Sequence, residues 1–139
     1  MPQKETMRNA QKDKREGKSP TTQAGEFVHE EIKKIRNGVH GARSTKQAIA
    51  IGLSEARRAG VDLKPPKKGT VSEKTRKSAA SAYKKGQAHE PVSAARSAAR
   101  KKALKKESTT VASHKALSQQ TSTAARKAAR TRARHARES

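Results

Sequence analysis

The C-terminal stretch TAARKAARTRARHARES sets Arg126, Arg130, Arg134 and Arg137 three or four residues apart. On a helix this spacing lines four guanidiniums along one side, with Lys127 beside them. Ala124, Ala125, Ala128, Ala129, Ala133 and Ala136 fall on the opposite half, where Arg132 and His135 interrupt them. That half is a poor surface for burial, while the arginine row suits phosphate oxygens, which a guanidinium can meet with two parallel N–H donors. The chemistry is polyanion binding. Repulsion among the arginines opposes the isolated helix, so the segment is expected to fold as phosphates neutralise it.

A second block has the same character. AARSAARKKA begins at Ala94 and AARKAARTRA at Ala124, an internal repeat of two short basic arms. The first arm supplies Arg96, Arg100, Lys101 and Lys102, followed by Lys105 and Lys106. If eight of these cations met duplex phosphates, log K would fall against log salt with a slope of about −7. Such affinity carries no base information.

A third candidate is GVHGARSTK, from Gly38 to Lys46. The free N–H groups of a helix start bind anions, and Arg43, Ser44 and Lys46 add donors there. The bland reading is that Ser44 caps the helix and the glycines turn the chain; the sequence leaves both open. GVHG also resembles the backbone-clamping GxxG loop of KH domains, but no alternating strand pattern flanks it. Arg57 and Arg58, near the end of the same helix, complete the expected phosphate contacts.

Other chemistries find no residues to carry them. HEEIKK lacks the second histidine of a zinc-protease helix, and the five histidines share no ligand spacing. There is no cysteine, hence no disulfide or thiolate metal site. No metal, cofactor, small-molecule substrate or catalytic residue is expected. Single-strand binders that stack bases use several aromatics, whereas Phe27 and Tyr83 are the whole supply here. No run approaches the roughly 18 apolar residues of a membrane span. The N-terminus shows no hydrophobic signal segment, so the cytosol is the expected location.

Behind these groups stands a chain of 139 residues, 34 basic against 12 acidic, with net charge +22. Its 30% hydrophobic content is below the roughly 45–50% of globular domains. A mainly α fold is expected, in three zones. Residues 1–21 read as a flexible polar arm, or a short frayed helix over 4–16. Residues 22–69 form a small helical domain, a hairpin of helices at about 24–37 and 45–59. Val28, Ile32 and Ile35 share one face of the first, and Gly38 stops it. In the second, Ser44 and Gln47 make a capping box. Ala48, Ile49, Gly52, Leu53, Ala56 and Ala59 share one arc, with Gly52 marking close approach of the first helix. Pro65 and Pro66 open an extended linker. Residues 70–139 form a largely disordered or nascent-helical basic tail, helix-capable over about 73–85, 92–106 and 122–137.

STKQAIAIGLSEARRAG, Ser44 to Gly60, with GVHGAR before it and LKPPKKG after, resembles a small bacterial domain family of unknown function. Its members are short and lysine-rich, with a QAIAI-[GA]-LSEAR-[KR]-AG core and a proline–lysine tail. The resemblance covers residues 26–69; it implies a bacterial cytosolic protein and leaves the activity open. The Ala/Lys/Arg-rich remainder is similar in composition to the tails of linker histones and bacterial histone-like proteins, which implies duplex binding and compaction at the nucleoid. The expected function is therefore non-enzymatic, sequence-nonspecific nucleic-acid binding, with DNA favoured over RNA. An RNA- or ribosome-associated protein is the alternative within that class. The rival from another class is an interaction module whose hairpin docks a partner or pairs with a second copy as a homodimer.

Overall fold

Ser19 and Pro20 start a helix. Ser19 Oγ accepts from Thr22 N, and Pro20 occupies the first helical position, where a missing N–H costs nothing. In the computed structural model, which describes residues 3–138, helix α2 therefore runs Pro20–Arg36, beginning four residues before the expected start at 24. Residues 1, 2 and 139, the outermost positions of the N-terminal arm and the basic tail, lie outside the described residues.

The described residues are mainly helical, as the helical spacing and caps implied, and the basic tail expected to be largely disordered or nascent-helical forms helices as well. Before α2 comes α1 (Lys4–Arg15). After it come α3 (Thr45–Arg58), α4 (Glu73–Gln87), α5 (Ala94–Lys105), a 3-10 turn (Thr110–Ala112) and α6 (His114–Glu138). Helix α3 falls where expected. Ser44 Oγ accepts from Gln47 N at 3.0 Å, and Gln47 Oε1 reaches back to Arg43 N at 2.6 Å. The glutamine thus closes its cap one residue earlier than an ordinary capping box would.

Helices α2 and α3 cross where Gly52 meets Val28. A Cβ on Gly52 would lie 2.6 Å from Val28 Cα, so only glycine allows the contact. Two apolar clusters form around this crossing. One gathers Ala10, Ala24, Phe27, Ala56 and Val61; the other gathers Ile32, Ile35, Ala42, Ala48 and Ala112. Ala10 and its neighbour Met7 belong to α1, so the N-terminal arm follows the second of its two readings, a helix close to 4–16, here packed on α2 rather than frayed. Two apolar residues three apart suffice to seat it.

The compositional border near residue 70 is not a border in packing. Helix α4 lies on α3 through Ala79, Ala82 and Gly86, and the Tyr83 hydroxyl donates to Asp62. Further along, Leu104 and Ala112 are buried, and Val111 and Leu117 pack on the second cluster. Arg36 Nε donates to Ala112 O at 2.7 Å, and Thr45 Oγ1 to Val111 O at 2.6 Å. The chain itself thus covers the hairpin face through which a second copy was expected to dock. Helix α6 starts eight residues before the expected 122 because Ser113 caps it: Ser113 Oγ accepts from Ala116 N at 3.1 Å.

Candidate nucleic-acid interface

Helix α6 has 25 residues and none is buried. At 1.5 Å per residue it is about 37 Å long. Arg126, Lys127, Arg130, Arg134 and Arg137 are all exposed, and no ion pair among the described residues engages them. Leu117 seats the first turns on the second cluster, and residues 121–130 are exposed throughout. On α5 and just past its end, Arg96, Arg100, Lys101, Lys102, Lys105 and Lys106 are likewise exposed.

The opening of α3 offers less than the sequence suggested. Gly41 N donates to Leu104 O and Ala42 N to Ser108 O, both within the chain, and Gly41 packs directly on the backbone of Glu107 and Ser108. The Thr45 hydroxyl is taken by Val111 and Ser44 Oγ by the cap. Gly41 therefore serves close backbone approach, while Gly38, at φ +76° with open space around it, turns the chain after α2. Only the exposed side chains of Arg43 and Lys46 remain to meet an anion.

Arg57 corrects an expectation. It is 8% exposed and turns inward, where Nε donates to Leu63 O at 3.0 Å and Nη2 to Lys64 O at 3.2 Å. Burial lowers its pKa. Its guanidinium holds the segment after α3 against the helix and is not available to phosphate. Arg57→Ala is expected to cost about 2 kcal/mol of stability, two charge-assisted bonds being lost, as read by urea denaturation. Duplex affinity of the folded variant is expected to stay within about twofold of the parent, since a phosphate contact is lost only where one exists. Arg58 is half-buried, and its Nη2 donates to Pro91 O at 3.3 Å.

The acidic residues hold what the sequence reading missed. Glu30 and Glu31 are buried, at 4% and 1% exposed. Glu31 Oε1 lies 2.7 Å from His40 Nε2, and His40 Nδ1 lies 2.9 Å from Gly41 O. Both ring nitrogens thus face oxygens, and the ring is held between the buried carboxylate and the backbone carbonyl. Nearby, burial and then the charge of Glu31 push the Glu55 carboxyl up from 4.5 to about 7, against the pull of Lys34.

That shift has a sign. Between these pH values the folded chain keeps a proton that the unfolded chain has released. The Glu55 contribution to stability is therefore full below about pH 4.5 and is lost as pH rises through 7. Glu55→Gln is expected to remove this decline. Thermal melts should show the variant more stable than the parent on the alkaline side, by on the order of 2 kcal/mol, and little different on the acid side.

Among the described residues, no group of three or more His, Asp or Glu side chains could hold a metal ion. No helix there is long and apolar enough to cross a membrane. A family of unknown function, DUF6496, matches residues 14–69, a span from the end of α1 through α2 and α3 to the linker after Pro66. No curated protein and no solved structure matches the chain.

Proposed function

We propose that this is a non-enzymatic protein that binds nucleic acid, duplex DNA above all, through phosphates and without reading sequence. The observation that carries this reading is helix α6. Its Arg126, Arg130, Arg134 and Arg137 share one exposed side of a helix that buries nothing, on a chain of net charge +22. Exposed cations with no internal partner release condensed counterions when phosphates neutralise them. Helix α5 adds a second cationic segment, and Arg43 and Lys46 a third. Compaction of DNA at the nucleoid follows from binding of this kind.

Gel shifts on two unrelated duplexes test the reading. Equal affinity for both is expected, and for eight phosphate contacts a fourfold rise in salt weakens it by about four orders of magnitude. Weak binding that ignores salt overturns the proposal. Co-purification with DNase or RNase treatment distinguishes a DNA partner from an RNA one.

A further inference from the structure

Helices α3, α4 and α5 each turn one side toward a common cleft of about 1070 Å³, at the upper limit of the size usual for small-molecule sites. Ser54 and Arg58 line it from α3, Ser81 and Lys85 from α4, and Arg96 and Arg100 from α5. Each pair stands four residues apart, the spacing that puts two side chains on one side of a helix. Among the described residues α5 packs on no other helix. It is tied at its ends, where Arg58 Nη2 donates to Pro91 O and Gly41 N to Leu104 O. It therefore stands off its neighbours by more than the roughly 8–10 Å between the axes of packed helices.

The donors around this gap are free. No side-chain hydrogen bond or ion pair among the described residues engages Ser54, Ser81, Lys85, Arg96 or Arg100. All five are half-buried or exposed, so a ligand in the cleft can reach them. Three acids share the lining: Glu31, Glu55 and Glu90. Glu31 is held by His40, and burial with the Glu31 charge pushes the Glu55 carboxyl up to about 7. In mild acid Glu55 is therefore largely neutral, and Glu90 is the one exposed acid against the cations.

Lysine and arginine only donate, and a serine hydroxyl can donate as well. The ligand that answers them is an anion with acceptor oxygens turned toward three helices at once. A carboxylate presents its two oxygens in a single plane. A tetrahedral phosphate presents oxygens all round, and a chain of phosphates repeats them across a wide gap. We propose that the cleft between α3, α4 and α5 binds a linear oligophosphate, free or as the tail of a nucleotide. Ser81 and Lys85 take it from one side, Arg96 and Arg100 from another, and Ser54 with the remaining N–H groups of Arg58 from the third. The site is separate from the arginine side of α6, and the proposal stands or falls independently of duplex binding.

Isothermal titration of the full chain tests this in mild acid and about 0.15 M salt, where exposed charges are screened. Tripolyphosphate is expected to saturate at a single equivalent per chain and to bind at least about tenfold more tightly than citrate. Lys85→Gln with Arg100→Gln, checked for parental helicity by circular dichroism, is expected to weaken it about tenfold or more. Lys12→Gln with Lys14→Gln, the same loss of charge on α1, is expected to change it by less than about twofold. Several equivalents per chain, citrate within about twofold of tripolyphosphate, or equal losses in the two variants would mean diffuse attraction to a cationic chain, and each overturns the proposal. ATP distinguishes the two sources: tighter binding than tripolyphosphate marks a nucleotide, and equal or weaker binding the free phosphate chain.

Discussion

Replacing Arg126, Arg130, Arg134 and Arg137 together by glutamine is expected to lower duplex affinity by about three orders of magnitude at 0.1 M salt. The figure follows from counterion release. Four phosphate contacts contribute a slope of about −3.6 in log K against log salt, and salt tenfold below 1 M multiplies that into a factor of about 10³. Glutamine nearly matches arginine in helix propensity, and α6 buries none of its residues, so fold and helicity are expected to stay at parental levels. The salt slope of the variant should flatten by the same 3 to 4, about one per arginine. A quadruple variant that binds as the parent does would remove α6 from the interface and leave α5 to account for any affinity. Fluorescence anisotropy on a labelled duplex across a salt series reads both quantities.

The second large effect concerns packing. A Cβ on Gly86 would fall 1.7 Å from Arg57 O and 3.1 Å from Arg58 Cα. Both are backbone atoms of α3 and cannot swing aside, so Gly86→Leu must push α4 away. With it would go the burial of Ala79 and Ala82 and the bond from Tyr83 to Asp62. The expected loss is about 3 kcal/mol or more, a fall in melting temperature of roughly 10 °C for a domain of this size. Gly25 provides the contrast. It is exposed within α2, nothing lies within 4 Å of its Cβ position, and Gly25→Ala is expected to stabilise by about 0.5–1 kcal/mol. Differential scanning calorimetry of the two variants tests the pair; equal melting temperatures would show that α4 does not rest on α3.

Local signals were legible wherever a short-range rule governs. The α3 bounds followed from Ser44, Gln47 and Gly60, and the close crossing followed from a glycine on an apolar arc. The start of α2 was hard to place because serine before proline makes an N-cap followed by a first helical residue as readily as a break. Of the two readings of the N-terminal arm, the helix over 4–16 is the one close to α1; its packed face, with Met7, Ala10 and the buried Thr6 and Asp13, is too weak an apolar stripe to register against its charges. The burial of Leu104 and Ala112 and the half-burial of Leu117 rest on long-range contacts that no periodicity announces. The buried glutamates were partly legible. Glu31 stands four residues after Phe27 and four before Ile35, and Glu55 stands three after Gly52, so both fall on the apolar arcs of their helices. A carboxylate on an apolar arc is the signal for a buried acid. Arg57 showed no such mark, because its partners are backbone carbonyls of the segment that follows.

The seating of α6 governs which way its charges point. Arg36 grips the junction from both sides, donating to Ala112 O and lying 3.4 Å from His114 Nδ1, and the helix then continues without a break to Glu138. Its azimuth is therefore dictated at residues 111–117 and transmitted along its whole length. One residue inserted after Gln120 would leave the net charge intact while swinging the distal edge by about 100° about the axis. A duplex gripped by that edge alone would follow the rotation, whereas one straddling α5 as well would lose half its hold.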